Sequence, residues 1–219
     1  MKSDKYNIAK EIVSRLQKAG FEAYFAGGCV RDKLLRKEPD DYDVATNAVP
    51  EVIEKLFPKT IAVGKAFGVI IVLKNGIEVE VATFRADGHY TDGRHPDSVT
   101  FSDLKTDVER RDFTINGMME DPIKSEIIDL TGGREDLKNG VIRCIGDPVK
   151  RFTEDRLRML RAIRFTCQLG FKIDTAIINA IKQMADKITF VSWERIRIEI
   201  EKILLSDNRG KCIRMMDEY

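Results

Sequence analysis

No run of apolar residues in this 219-residue chain approaches the ~18 that a membrane-crossing helix needs, and Met1-Lys-Ser-Asp-Lys5 lacks the apolar stretch of a secretory signal. A cytoplasmic location is therefore expected. Cysteine is scarce: Cys29, Cys144, Cys167 and Cys212 lie far apart without a CxxC pair, and only His89 and His95 are available to help them hold zinc. The expectation is buried thiols, with neither disulfide nor zinc. Excess charge is also lacking, since 37 basic residues face 36 acidic ones. A polyanionic partner would have to be met by local basic patches, and these occur at Arg110-Arg111 and along Lys150, Arg151, Arg156, Arg158, Arg161 and Arg164. Internal repeats and low-complexity tracts are missing too.

What is present is an ordinary globular composition, 43% hydrophobic and 33% charged, enough for one large or two modest domains. Residues 7–19 carry Ile8, Ile12, Val13 and Leu16 at helical spacing before Gly20. Ala23–Ala26 reads as a strand broken by Gly27-Gly28, with a helix over Cys29–Leu35 and a strand over Asp41–Val44. A helix starts at Pro50 and stops before Pro58. Strands over 60–63 and 68–73 follow, and Asn75-Gly76 turns the latter into Ile77–Phe84 as a hairpin. Residues 86–98 hold two glycines and a proline without any period, which predicts a loop. Beyond about residue 145 the signals are helical, over 151–169, 173–187 and 193–205. Together these give an α+β head, residues 1–141, followed by an all-α unit, residues 142–219. Residues 208–219 continue a helical pattern with no cap or glycine to end it, which predicts a longer native chain.

Chemistry concentrates in a few places. Asp41-Tyr42-Asp43 sets two carboxylates two residues apart, which on a strand directs both to one face about 7 Å apart. Hard cations take such oxygen ligands together with substrate phosphates. Upstream, Gly27-Gly28 lets bare backbone approach phosphate, with Arg31 adding charge. In the strand 77–84, Glu78 and Glu80 share the face opposite Ile77, Val79 and Val81. On a helix over 151–169, Asp155 and Arg158 are i,i+3 neighbours beside an apolar stripe of Phe152, Met159, Leu160, Ile163 and Cys167.

Gly27-Gly-Cys-Val-Arg-Asp32 followed by Asp41-Tyr-Asp-Val-Ala-Thr46 resembles the signature of polymerase-β-like nucleotidyltransferases. More narrowly, the chain resembles the class II tRNA nucleotidyltransferases and bacterial poly(A) polymerases. That likeness continues through Arg110-Arg-Asp-Phe-Thr-Ile-Asn116, Asp129-Leu-Thr-Gly-Gly133, Gly146–Asp155 and Arg158–Phe165, in the family's order over nearly the whole chain. The resemblance implies a head with a five-stranded mixed sheet, a helical neck, and further domains beyond residue 219.

It also implies roles. Asp41 and Asp43 would be the catalytic pair holding Mg²⁺, with Glu80 as a candidate third carboxylate and Asp40 outside the D-x-D pair. Gly28, Arg31 and Arg111 would meet phosphates, and either Asp112 or Asn116 a ribose hydroxyl. Asp155 and Arg158 would read the base: an acceptor beside a donor matches the amine and ring nitrogen shared by cytosine and adenine, whereas uracil and guanine present the reverse. Arg161 and Arg164 would reach triphosphate or RNA, or else face solvent. Asp129, Gly132 and Gly133 match a segment joining head and neck, as hinge or plain turn. The 86–98 region, with Asp87, Tyr90, Asp92, Gly93, Arg94, Pro96 and Asp97, matches the family's flexible loop, although His95 replaces an Arg there. The implied activity is addition of CMP and AMP from CTP and ATP to the tRNA 3′ end. Its rivals are A-adding, CC-adding and poly(A) activities and, in another class, a non-catalytic RNA- or nucleotide-binding module.

Overall fold

The computed structural model describes residues 2–88 and 98–219, with side chains from Asp4 onward. In chain order the helices are α1 (Lys2–Lys18), α2 (Gly28–Leu34), α3 (Pro50–Leu56), α4 (Leu104–Glu109), α5 (Gly133–Asn139), α6 (Pro148–Glu154), α7 (Leu157–Leu169), α8 (Thr175–Met184), α9 (Trp193–Leu204) and α10 (Arg209–Glu218). The strands are β1 (Ala23–Ala26), β2 (Asp43–Thr46), β3 (Thr60–Gly64), β4 (Val69–Lys74), β5 (Ile77–Thr83), β6 (Arg85–Asp87), β7 (Val99–Phe101), β8 (Met119–Asp121), β9 (Glu126–Ile128), β10 (Val141–Ile142) and β11 (Lys172–Ile173). Two compact units result. One holds the residues up to Asp87 with Val99–Arg111 and Asn116–Thr131; the other holds Asp112–Ile115 and Gly132–Tyr219 with residues 88 and 98.

The first unit is built on a mixed sheet of order β3-β4-β5-β2-β1-β8-β9. That is seven strands where the resemblance implied five. Only β2 and β5 run parallel; the other pairs are antiparallel. The β4–β5 hairpin turns at Asn75 and Gly76, both at positive φ (51° and 76°), as a two-residue primed turn requires. One face of α1 buries Ile8, Ala9, Ile12, Val13 and Leu16. Elsewhere Ala26, Ala45, Phe84, Val108 and Met119 form a core cluster, with Tyr24, Leu104 and Ile128 against it. The loop expected over 86–98 begins and ends in paired strand, Asp87 opposite Val99. Its remaining residues, 89–97, lie outside the described residues, and with them both histidines.

The second unit is helical except for the parallel pair of β10 and β11, so the expected all-α composition is relieved by one short ladder. In place of the single helix expected over 151–169, the chain breaks between α6 and α7: Asp155 is extended (φ −144°, ψ 105°). Gly170 caps α7 in the left-handed region, and Asp174 caps α8 by accepting from the Ala176 amide. Two cysteines are corrected as well. Cys167 on α7 and Cys212 on α10 are joined as a disulfide, with Cα atoms 5.9 Å apart, whereas Cys29 and Cys144 are free and buried as expected. Spacing along the chain, 45 residues here, carries no sign of which helices will lie side by side.

Candidate active site

In the first unit the acidic cluster is aimed by aromatic packing. Tyr42 lies between the two aspartates and is held by Tyr6 and Phe25, with ring centroids 5.5 and 5.3 Å away. Asp41 and Asp43, on either side of it in sequence, are both exposed. The strand begins only at Asp43, one correction to the expected Asp41–Val44, so Asp41 sits on the loop before it. Its carboxylate accepts from Lys5 Nζ at 2.7 Å, and the same ammonium donates to the Asp40 carbonyl at 2.8 Å.

Asp43 borders Glu80. The parallel register pairs Val44 with Val81, which places the preceding residues side by side on the opposite face. The pKa of Asp43 is pushed up to about 6, first by the loss of water around its carboxylate and then by Glu80, while Arg111 pulls it down and Asp41 adds repulsion. Crowded carboxylates whose charge is incompletely balanced are a donor set suited to a hard cation. Among the described residues, no three of His, Cys, Asp and Glu converge as a ready metal shell.

Beside this cluster Gly27 takes φ 73° and ψ −126° between β1 and α2, a conformation that side chains rarely adopt. A Cβ there would also stand 3.5 Å from an Arg111 nitrogen, and one on Gly28 would stand 3.6 Å from Arg31. Arg31 is buried and donates to Asn116 Oδ1 at 2.7 Å and to Asp32 at 2.8 Å. Arg111 is fixed by Asp107, whose Oδ2 accepts from Nε and an Nη at 3.2 and 2.8 Å; its Oδ1 accepts from Arg110. Burial works against the charge of Asp107, but Arg111 and Arg110 outweigh it and hold the carboxyl below the usual range.

In the second unit Asp155 and Arg158 each have a partner of their own. Asp155 receives a two-pronged bond from Arg195 of α9, at 3.1 and 2.8 Å, and a third from the Leu157 amide at 3.1 Å. Arg158 donates to Glu154 at 2.8 Å and to the Arg151 carbonyl at 3.0 Å. The expectation of one helical i,i+3 pair is thus corrected: the break at Asp155 puts the acid outside the helix that carries the arginine. Asp112 accepts from Arg161 at 2.9 and 2.6 Å. Arg164 is also corrected, because it does not face solvent; it is buried against Glu199 at 2.5 Å and donates to Gln168 at 3.1 Å. Gly132 caps α5 at φ 78°.

Six supporting residues escaped the sequence reading: Lys5, Tyr42, Asp107, Glu154, Arg195 and Glu199. Asp107 and Glu154 carried a signal, since each lies four residues before the arginine it holds. Arg195 and Glu199 carried none, their partners being 40 and 35 residues away.

Residues 23–143 match the model of the poly A polymerase head domain. The chain belongs to that family. Residues 170–219 further match a model described as the probable RNA and SrmB-binding site of polymerase A. Among relatives of this head-domain chain, a CCA-adding enzyme of Leuconostoc mesenteroides is 46% identical over 210 residues, covering 94% of this chain and 52% of its own. One from Geobacillus is 44% identical, covering 97% and 53%. The crystal structure of the Bacillus stearothermophilus CCA-adding enzyme in complex with CTP matches with a TM-score of 0.90 at 40% identity, over 98% of this chain and 52% of that one. The Thermotoga maritima CCA-adding enzyme complexed with tRNA matches at 0.76 and 30% identity, over 97% and 50%. The chain spans about half the length of the curated relatives it matches. No helix among the described residues is long and apolar enough to cross a membrane.

Proposed function

We propose that the chain is the head and neck, residues 1–141 and 142–219, of a cytoplasmic nucleotidyltransferase that adds CMP and AMP from CTP and ATP to tRNA 3′ ends. The terminal 3′-hydroxyl loses its proton to solvent as its oxygen bonds to the α-phosphorus of the nucleotide, the bond from that phosphorus to the bridging oxygen breaks, and pyrophosphate leaves. The observation that carries this reading is the β2–β5 register, which sets Asp43 beside Glu80 with Asp41 two residues before it; burial first, and then Glu80 and Asp41, push the Asp43 carboxyl up. It is supported by relatives named CCA-adding enzymes and by solved relatives described with CTP and with tRNA.

Asp41 and Asp43, with Glu80 as third oxygen donor, are the residues that would hold Mg²⁺. When bound, such ions supply activation of the attacking hydroxyl and charge neutralisation on the phosphates. The chain's own groups orient the substrate. Arg111, set by Asp107, and Arg31, set by Asn116, offer cationic donors to phosphate, and the absence of Cβ at Gly27 and Gly28 leaves room beside them. Asp155 accepts from the base amine while Arg158 donates to the ring nitrogen, the order shared by cytosine and adenine. Arg195 and Glu154 hold the two readers separately. Asp112 remains the candidate for a ribose hydroxyl, with Arg161 orienting it.

The test incubates the protein with tRNA lacking one, two or three terminal nucleotides, labelled CTP or ATP, and Mg²⁺. Addition should be lost in Asp41→Ala and in Asp43→Ala. A single-turnover rate at a tenth of the parent or more, in either variant at excess Mg²⁺, would remove the assignment of that pair.

A further inference from the structure

Within the second unit, α10 leans on one covalent bond. Its ten residues bury two side chains, Cys212 and Met215, and leave Arg209, Lys211, Ile213 and Arg214 exposed. Packing beneath it is incomplete. A cavity of about 460 Å³ has Thr166, Phe171 and Ile173 on one side, with Lys211 and Met215 of α10 and the following Tyr219 on the other. The Thr166 hydroxyl, on the α7 side, is buried without a hydrogen-bond partner among the described residues. Asn208, just before α10, donates to the Cys167 carbonyl at 2.8 Å, and Lys182 of α8 stands 5.2 Å from the centre of the Tyr219 ring. Against these weak ties stands the bond between Cys167 and Cys212, both 0% exposed.

A helix with so little buried apolar surface opens locally, ahead of the unit that carries it. Thiols in a reducing compartment stay reduced until an oxidant accumulates, so the bond need not be permanent. We infer that Cys167 and Cys212 form a redox-sensitive latch: as a disulfide the pair pins α10 to α7, and as two thiols it lets α10 lift away while the rest of the unit stays folded.

A low-molecular-weight disulfide closes the latch. With α10 lifted, the Cys212 thiolate attacks one sulfur of that disulfide and expels a thiolate; the Cys167 thiolate then attacks the Cys212 sulfur of the mixed disulfide and expels the second. The protein pair gives up two electrons and two protons, and the small disulfide becomes two thiols that carry them. Excess small thiol runs the exchange backwards. Cys29 and Cys144, each buried and unbonded, take no part. Neither metal, nucleotide nor RNA enters the step.

The protein is equilibrated either with glutathione disulfide or with excess dithiothreitol, then alkylated under denaturing conditions and weighed. Two free thiols are expected after oxidation, at Cys29 and Cys144, and four after reduction. Deuterium uptake by residues 209–218 reads the latch itself. The bond closes a separation of 45 residues, and a disulfide contributes roughly thirty- to a thousandfold against opening, so amide exchange in α10 should speed by that factor on reduction. Exchange in α8 should stay the same in both forms. Cys212→Ala, which removes the bond without adding a polar group, should exchange like the reduced parent in either buffer. Four free thiols after oxidation, a bond mapped to Cys29, Cys144 or a second chain, equal α10 exchange in both forms, or α8 loosening as much as α10 would each overturn the latch.

Discussion

Asp107 offers a sharp test of how Arg111, the residue proposed to meet phosphate, is held. Its side chain is 1% exposed and bears both Arg110 and Arg111, through Oδ1 and Oδ2 respectively. Asp107→Asn keeps the size and one acceptor oxygen but removes the charge, leaving two guanidinium groups short of their nearest buried counter-charge. Removing one member of a buried pair costs about 3–5 kcal/mol. Because the amide oxygen still accepts and both arginines reach partway to solvent, the lower end applies, about 3 kcal/mol. That is roughly a 150-fold shift in the folding equilibrium. Urea denaturation followed by circular dichroism measures it. The pH dependence adds a second reading. The folded carboxyl lies below the unfolded value of ~3.9, so its stabilisation is present above that value and is lost as pH falls through the folded pKa. The parent should therefore lose stability below about pH 4, and the Asn variant should lose less over the same window. Function should follow the geometry: KM for CTP and ATP should rise about tenfold as Arg111 loses its brace, a figure on the order of one charge-assisted hydrogen bond. A variant within 1 kcal/mol of the parent, with unchanged KM, would refute both the bracing role and the phosphate role of Arg111.

Two further outcomes are expected. Lys5→Met removes the ammonium that competes for Asp41, so Mg²⁺ should bind the variant up to about fivefold more tightly by calorimetry, the ceiling for an exposed ion pair; weaker binding would show that Lys5 supports the site instead. Glu199→Gln should lower the stability of the second unit by about 3–5 kcal/mol, read from Trp193 emission in urea, since Arg164 and Glu199 are both buried. The double change Glu199→Leu/Arg164→Leu should recover most of that loss, and a double variant as unstable as the single would count against an uncompensated charge as the cause.

The elements were legible where local physics decides them. Gly27-Gly28, Pro50 and Asn75-Gly76 punctuate the chain through their backbone restrictions, and the turns they predict are all present. Alternation in β5 likewise puts Glu80 on the exposed face, and the parallel pairing with β2 then brings it beside Asp43. What pattern could not supply was pairing at a distance. Strand order, the joining of Cys167 to Cys212 and the seating of α9 against α7 depend on which surfaces meet, information spread over the whole core.

The break at Asp155 shows the same limit at the level of the site. Residues 151–169 keep a helical apolar stripe, so periodicity alone continues the helix through Asp155 and sets it beside Arg158 as an i,i+3 neighbour. In the structure Asp155 leaves the helical region, its side chain accepts from the Leu157 amide at the start of α7, and Arg195 takes both of its oxygens. An acid that caps a helix and is pinned by a distant arginine cannot also serve as a routine helical salt-bridge partner. The consequence favours a reader over an ornament of the surface. A carboxylate has about four acceptor positions, and with three of them met by Arg195 and Leu157 about one remains. One directed acceptor is what recognition of a single base amine requires, and a freely rotating surface carboxylate would not provide it.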